Sequence, residues 1–513
     1  MIDYAIEILL ILLLIFTPIA FGSQMLWAFS LMELGIFLII ILGAVNIMSD
    51  QSSVTGKSTN NKLRITNNYL LISTVVLTLF LGLVVFQMVP LPEGIVKIIS
   101  PKTYELRNQL SVKNLGLSYQ SSVSSNQPLV ISNQLPVTNN RPSINSNQLL
   151  VTGSTTDNES LPTTLSFFPL ATKIEFFKWL ALTGLFIFLL HWKLSDNRYR
   201  IINHLIVAIF LVGVFQCLYG IFEFFSGHRH IFNLDWSHRI STVTGTFFNR
   251  NYFAGYLLMV IPLSIGYFFS RTTDRPWRFG GWRHRLSSLD GKTLLLGFGL
   301  ILMILGLLLS ASRMGILSLL ISFSLISLLF RDPRRGQRIS RIPVLIFGLA
   351  LLWAAWIGLD AVISRFFTIS EGLRSRSMIW VNTSGIIKDF PFLGSGLGTF
   401  TEAFSLYRSF HIVGVVTHAE NDYLQLASEV GLFGAGLLLI LFLFLFFTAV
   451  SGIRSLSQGK PQRYIGIGGL VGVIALMFHS IVERNIQVPA NAFLYTVMWA
   501  MVLTIAREPR RKE

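Results

Sequence analysis

Long apolar blocks separated by polar stretches dominate the chain. Twelve of them approach the roughly 20 apolar residues that cross a hydrocarbon core of about 30 Å. They run over 4–22, 25–47, 69–89, 172–192, 201–224, 251–270, 293–311, 313–330, 343–359, 431–453, 464–481 and 491–506. Each predicts a transmembrane helix, and the shorter ones leave room for tilt or partial re-entry. The first block ends in Ala20-Phe21-Gly22, loosely like a signal-peptide cleavage site. No Lys or Arg precedes it and its apolar stretch is too long, so it predicts a retained helix.

The polar stretches set the orientation. Those at 48–69, 193–200, 271–292, 331–341 and 454–463, with the tail 507–513, hold more than half of the 41 Lys and Arg residues. Loops rich in basic residues stay in the cytoplasm, which places both termini there. Two long connections, 90–171 and 360–430, then face the opposite, outer side. The expected organisation is N-terminal transmembrane helices (1–89), a first outer loop (90–171), central helices (172–359), a large catalytic outer loop (360–430), C-terminal helices (431–506) and a basic cytoplasmic tail (507–513).

Composition strengthens this picture: 52% of residues are hydrophobic and only 13% charged, against about a quarter charged in soluble domains. The net charge of +16 lies in loops between apolar blocks, so it reports topology and a lipid bilayer as partner, not nucleic acid. Cys217 is the single cysteine, which excludes an intrachain disulfide and thiolate metal sites. The first outer loop contains a tandem seven-residue repeat, SNQPLVI, SNQLPVT, NNRPSIN and SNQLLVT, over 125–152. Pro128, Pro136 and Pro142 break any continuous helix there, so the repeat reads as a flexible or weakly β-prone insertion without a catalytic role.

Candidate chemistry gathers on the outer side. Positive charge is disfavoured in short outer loops, yet Arg250, Arg313, Arg374, Arg376 and Arg484 lie at outer helix ends or beside polar clusters. One such arginine suggests snorkelling to lipid headgroups; five suggest an anionic, lipid-borne ligand, because the guanidinium fork matches phosphate oxygens. The run Gly394-Ser395-Gly396-Leu397-Gly398 follows no βαβ pattern and reads as a tight turn permitting close backbone approach. Between His418 and Gln425 stand an imidazole, two carboxylates and two amides. On a helix, His418, Asp422 and Gln425 share one face while Glu420 and Asn421 point elsewhere. One of these groups suits a general base and the amides suit orienting a sugar, although a polar helix start at the water interface explains the same residues. No second histidine stands at ligand spacing, so no metal is expected. A further cluster runs from His479 through Glu483, Arg484 and Asn485 to Pro489 and Asn491. It reads equally as an interfacial turn with a Glu483–Arg484 surface pair.

In this order the motifs resemble the O-antigen ligase and polymerase superfamily of bacterial envelope glycosyltransferases, over roughly residues 70–506. Gly245-Thr246-Phe247-Phe248-Asn249-Arg250-Asn251 is similar to the family's Gly/Asn-rich opening of a membrane helix. Ser310-Ala311-Ser312-Arg313-Met314-Gly315 resembles its Ser-Arg-Gly signature, and Arg376 four residues before Trp380 its second arginine motif. The PFLGSGLGTF run, the 421–434 segment and HSIVERNIQVPAN follow. The resemblance implies an all-α, GT-C-like integral protein of the bacterial inner membrane. It would transfer a glycan from undecaprenyl diphosphate to an acceptor hydroxyl, on lipid A-core or another glycan, without a cofactor. It also implies that Arg313 and Arg376, with Arg374 and Arg250, bind the diphosphate, neutralising the leaving group without a metal. Asn249, Asn421, Asp422, Gln425, His479 and Arg484 would orient substrate.

One departure bears on the base. The family's His-x-His-Asn pattern becomes His418-Ala419-Glu420-Asn421 here, so Glu420 holds the place of the histidine proposed as catalytic. Either Glu420 is the base with His418 tuning it, or His418 reaches the acceptor itself. Ligase and polymerase both fit. A lipid-linked-glycan flippase or transporter is the alternative of another class, for which Glu33 and Glu223 are the main features.

Overall fold

The computed structural model describes residues 2–52, 68–108, 164–192, 198–227, 230–232, 234–235, 242–272, 290–329, 348, 369–410 and 414–507. Its helices are α1 (Ile2–Ile19), α2 (Leu26–Ser52), α3 (Asn68–Met88), α4 (Glu93–Ile99), α5 (Pro169–His191), α6 (Arg198–Ser226), α7 (Arg250–Thr272) and α8 (Gly291–Leu309). They continue with α9 (Arg313–Leu329), α10 (Ile369–Asp389), α11 (Phe400–Tyr407), α12 (Asp422–Ser455), α13 (Pro461–His479) and α14 (Pro489–Ala506). A two-residue antiparallel ribbon pairs His230–Ile231 with Leu234–Asp235.

Among the described residues, ten helices are long and apolar enough to span a membrane: α1, α2, α3, α5, α6, α7, α8, α12, α13 and α14. The protein is an all-α integral membrane protein, a form that satisfies every backbone polar group within its own segment where water is absent. These ten account for ten of the twelve expected spans. The block at 313–330 forms α9, which at 17 residues is shorter than a full span. The block at 343–359 lies outside the described residues but for residue 348, and the seven-residue repeat lies outside them entirely.

Helix α7 runs through the centre. Of its apolar window 94% is buried, against 28% for α2 and for α12. It packs backbone-to-backbone on α13, where a Cβ added at Gly468 would stand 2.4 Å from the Pro262 carbonyl oxygen and one added at Gly472 2.7 Å from that of Met259. Small residues permit this approach. It matters for the site because it fixes the first turn of α7 beside the last turn of α13.

The segment 360–430 is not an open loop where it is described. It contains α10 and α11, and α12 begins at Asp422, well before the expected 431. Gly431 interrupts α12 at φ 68°, ψ 179°. The interruption exists to receive the glycine turn, which does make the expected close approach. Gly394, Gly396 and Gly398 have φ of 71°, 114° and 78°. The N–H groups of Ser395 and Gly396 donate to the carbonyls of Ser428 and Glu429 (3.0 and 2.9 Å), and that of Leu432 to Pro391 (2.7 Å). Gln87 of α3 staples the junction, donating to the carbonyls of Leu393 (2.6 Å) and Glu429 (2.9 Å) and accepting from Leu397 N–H (3.1 Å).

Candidate active site

The turn that opens α12 is held from several directions. Asn421 caps the helix, its Oδ1 accepting the N–H groups of Tyr423 and Leu424, both at 3.0 Å, a standard relief for unpaired amides at a helix start. The Ala419 peptide is clamped on both sides: its N–H donates to Gln425 Oε1 (3.1 Å) and its carbonyl accepts Trp380 Nε1–H (3.0 Å). Glu420 follows at φ 51°, a left-handed conformation uncommon for residues other than glycine, which such surroundings can impose. Asp422 Oδ2 accepts the N–H groups of Asn485 (2.8 Å) and Ile486 (2.9 Å), and its own N–H donates to the Ser480 carbonyl (3.1 Å). The turn is thereby tied to the α13–α14 connection.

That connection carries charge. Glu483, 3% exposed, forms an ion pair with Arg376 of α10. Its carboxyl also meets those of Glu420 and the Asn251 side chain. Burial pushes the Glu483 carboxyl above the usual carboxylate range against the opposing pull of Arg376, and the nearby Glu420 pushes in the same direction as burial. Arg484 stands over the Tyr252 ring, 5.3 Å from its centre, and Glu420 and Glu483 lie within electrostatic reach of the same tyrosine. His479 is fully buried at the end of α13, with Asn485 Nδ2 donating to its Nδ1 (3.1 Å) and Ser312 Oγ 3.5 Å from its Nε2. Ser312 immediately precedes Arg313, the first residue of α9.

Residues 298–439 match the family model described as O-Antigen ligase. The match covers 142 of the 513 residues, and this part of the chain is similar to that family. No curated protein matches the chain. The matched segment runs from within α8 into α12, so it includes Arg313, Arg374, Arg376, His418, Glu420, Asn421, Asp422, Gln425 and Glu429. Glu483, Arg484 and His479, which complete the cluster, follow it in the chain.

The expected site residues separate into groups. Arg376, Glu420 and Arg484 come together, and His479 and Arg313 join through Ser312 at the same end of the bundle. Asn249 Oδ1 accepts Asn251 N–H (2.8 Å) at the start of α7, beside half-buried Arg250. Arg374 is exposed. His418, Asp422 and Gln425 do not form the expected helical face, because the helix begins only at Asp422 and Asp422 Oδ2 is taken by two backbone amides. His418 still meets Gln425, whose Nε2 lies 3.4 Å from its Nδ1. The same amide donates to Glu429 Oε1 (3.0 Å). Burial, with Arg484 and Lys178 nearby, holds the His418 imidazole well below its ordinary value. Glu483 is no surface residue and its partner is Arg376, not Arg484, which corrects the expected pair. Sequence reasoning gave Glu483 no role beyond a surface pair and assigned none to Asn251, Tyr252 or the α5 pair Glu175–Lys178. A lysine within an apolar span was the available signal for the last of these.

Proposed function

We propose that the protein is a glycosyltransferase that moves a glycan from undecaprenyl diphosphate to an acceptor hydroxyl at the periplasmic face of the inner membrane. The observation that carries this reading is the meeting of Arg376, Glu483, Glu420 and Arg484 at the bundle end where α7 and α9 begin and α13 finishes. The family match supports ligase- or polymerase-type chemistry. In the reaction the acceptor oxygen bonds to the anomeric carbon, its proton passes to Glu420, and the carrier diphosphate leaves with the bonding electron pair. Guanidinium groups stabilise the charge that builds on the leaving oxygen. Arg376 is held by Glu483 until the diphosphate competes for it, and Arg313 approaches from α9.

Glu420 is the better base. The Gln425 amide faces His418 Nδ1, which favours the tautomer with its proton on Nε2 and so leaves no free lone pair on the imidazole. His418 then serves as a neutral support of the turn. Proteoliposomes holding a polyprenyl-diphosphate oligosaccharide test the reading, with lipid A-core compared with a second carrier-linked glycan as acceptor. Release of polyprenyl diphosphate with one acceptor supports it and separates ligase from polymerase; carrier movement between leaflets without release contradicts it in favour of a flippase.

A further inference from the structure

On the His418 side of the turn lies a cavity of about 670 Å³ enclosed by α3, α5, α11, α12 and α14. One end is polar, with Glu175, Lys178, Thr401, His418, Gln425 and Glu429 in its wall. From there an apolar trough continues past Leu438, Leu445, Phe186 and Trp499. Along α12 the wall runs from Gln425 across the interruption at Gly431 to Leu445, and the helix beyond the interruption gives a trough of about 21 Å at 1.5 Å per residue. A polar end continuous with such a trough fits an amphipathic molecule, a head group bearing a hydrocarbon chain.

The charges say which head group. Lys178 is ion-paired with Glu175, and both are close to Glu33 and to Glu429. One ammonium among several carboxyl groups leaves no positive field for a diphosphate. Hydroxyls suit the mixture, since they donate to carboxylates and accept from the ammonium and the Gln425 amide. Ionisable side chains on spans are costly and normally serve a substrate. Arg376 is paired with Glu483, and Arg484, although within electrostatic reach of His418, is not among the lining residues.

We propose that this cavity binds the acceptor, and that the acceptor is a lipid with an uncharged, hydroxyl-bearing head group, such as a glycolipid. The inference rests on the glycosyltransferase reading above. A head group seated against His418 and Gln425 has the carboxylate of Glu420 two residues further along the same turn. A lipid A-core or a second carrier-linked glycan, each with phosphate next to its chains, fits this polar end poorly.

Native mass spectrometry of the protein in nanodiscs containing a monoglycosyl-diacylglycerol, phosphatidylglycerol and a polyprenyl diphosphate tests the site. The glycolipid is expected to be retained. A Cβ at Gly436, which lines the trough, meets open space, so Gly436→Phe fills the trough without disturbing the fold. It should reduce glycolipid retention and raise the KM for glycolipid acceptor, each by about tenfold, while transfer to a water-soluble sugar stays unchanged. Lys178→Met combined with Glu175→Gln should weaken glycolipid retention and spare the donor KM. Preferential retention of phosphatidylglycerol or polyprenyl diphosphate, or a Gly436→Phe effect on donor KM alone, overturns the proposal. Transfer without glycolipid retention overturns the site and keeps the glycosyltransferase reading. Gly436-sensitive retention with no polyprenyl diphosphate released from any acceptor overturns the acceptor role and that reading together.

Discussion

The two sides of the turn from Thr417 to Asp422 use ionisable residues in opposite ways. On one side Arg376 and Arg484 stand with Glu420 and Glu483. On the other, Lys178 is matched by carboxyls and opens onto a trough of leucine and aromatic side chains. The difference teaches that proximity to a base does not define a substrate site. The charge balance of each wall decides whether it receives a leaving diphosphate or an uncharged head group.

The largest effect is expected on the arginine side. Arg376→Ala and Arg313→Ala should each lower transfer by about 10²–10³-fold, the scale for losing one preorganised donor to a developing oxyanion. Because Arg376→Ala leaves Glu483 buried and unpaired, Arg376→Ala with Glu483→Gln is the sharper variant. It should recover the thermal stability of the parent and none of the activity. Full activity in that double variant would break the proposed division of labour. Gly431→Ala comes next. The position has φ 68°, and an added Cβ would lie 2.2 Å from the Phe392 carbonyl oxygen. A loss of about 1–3 kcal/mol is expected in unfolding measurements, and it should loosen both sides together. Asn421→Ala should cost about 1 kcal/mol through the lost cap, seen as a modest drop in melting temperature with activity retained at low temperature.

The smallest effect is on pH dependence. With its pKa held low, His418 stays neutral through the physiological range and contributes no step near its ordinary value to the pH–rate profile. Unfolding lets it take up a proton that the folded state refuses, so its contribution makes stability fall as pH drops below that ordinary value. His418→Asn should flatten this slope in pH-dependent unfolding. An unchanged slope would show that the imidazole is not held neutral by its surroundings.

Much of the bundle was legible in the chain, because long apolar blocks have few other uses, whereas the close α7–α13 contact appears only in the fold. The glycine turn was legible as a close approach, though not its partner, since nothing local in 394–398 names Gly431. What stayed hidden depended on long-range meeting. Glu483 and Arg484 are neighbours in sequence but face Arg376 and Tyr252 respectively, so spacing suggested a surface pair where the fold makes two separate contacts. The face drawn through His418, Asp422 and Gln425 failed for a local reason: Asn421 caps, and so starts, the helix after His418. Lys178 and Glu175 were visible as charges on a span, but their place at the head of a cavity follows only from packing against α12.

Single-turnover transfer from a polyprenyl-diphosphate oligosaccharide, comparing Glu420→Gln with His418→Asn, tests the central claim most directly. The account predicts that Glu420→Gln loses about 10²–10⁴ in rate while donor binding persists, and that His418→Asn keeps most of the parental rate. Rapid transfer by Glu420→Gln alongside an inactive His418→Asn would contradict it, making the imidazole the base and Glu420 a support.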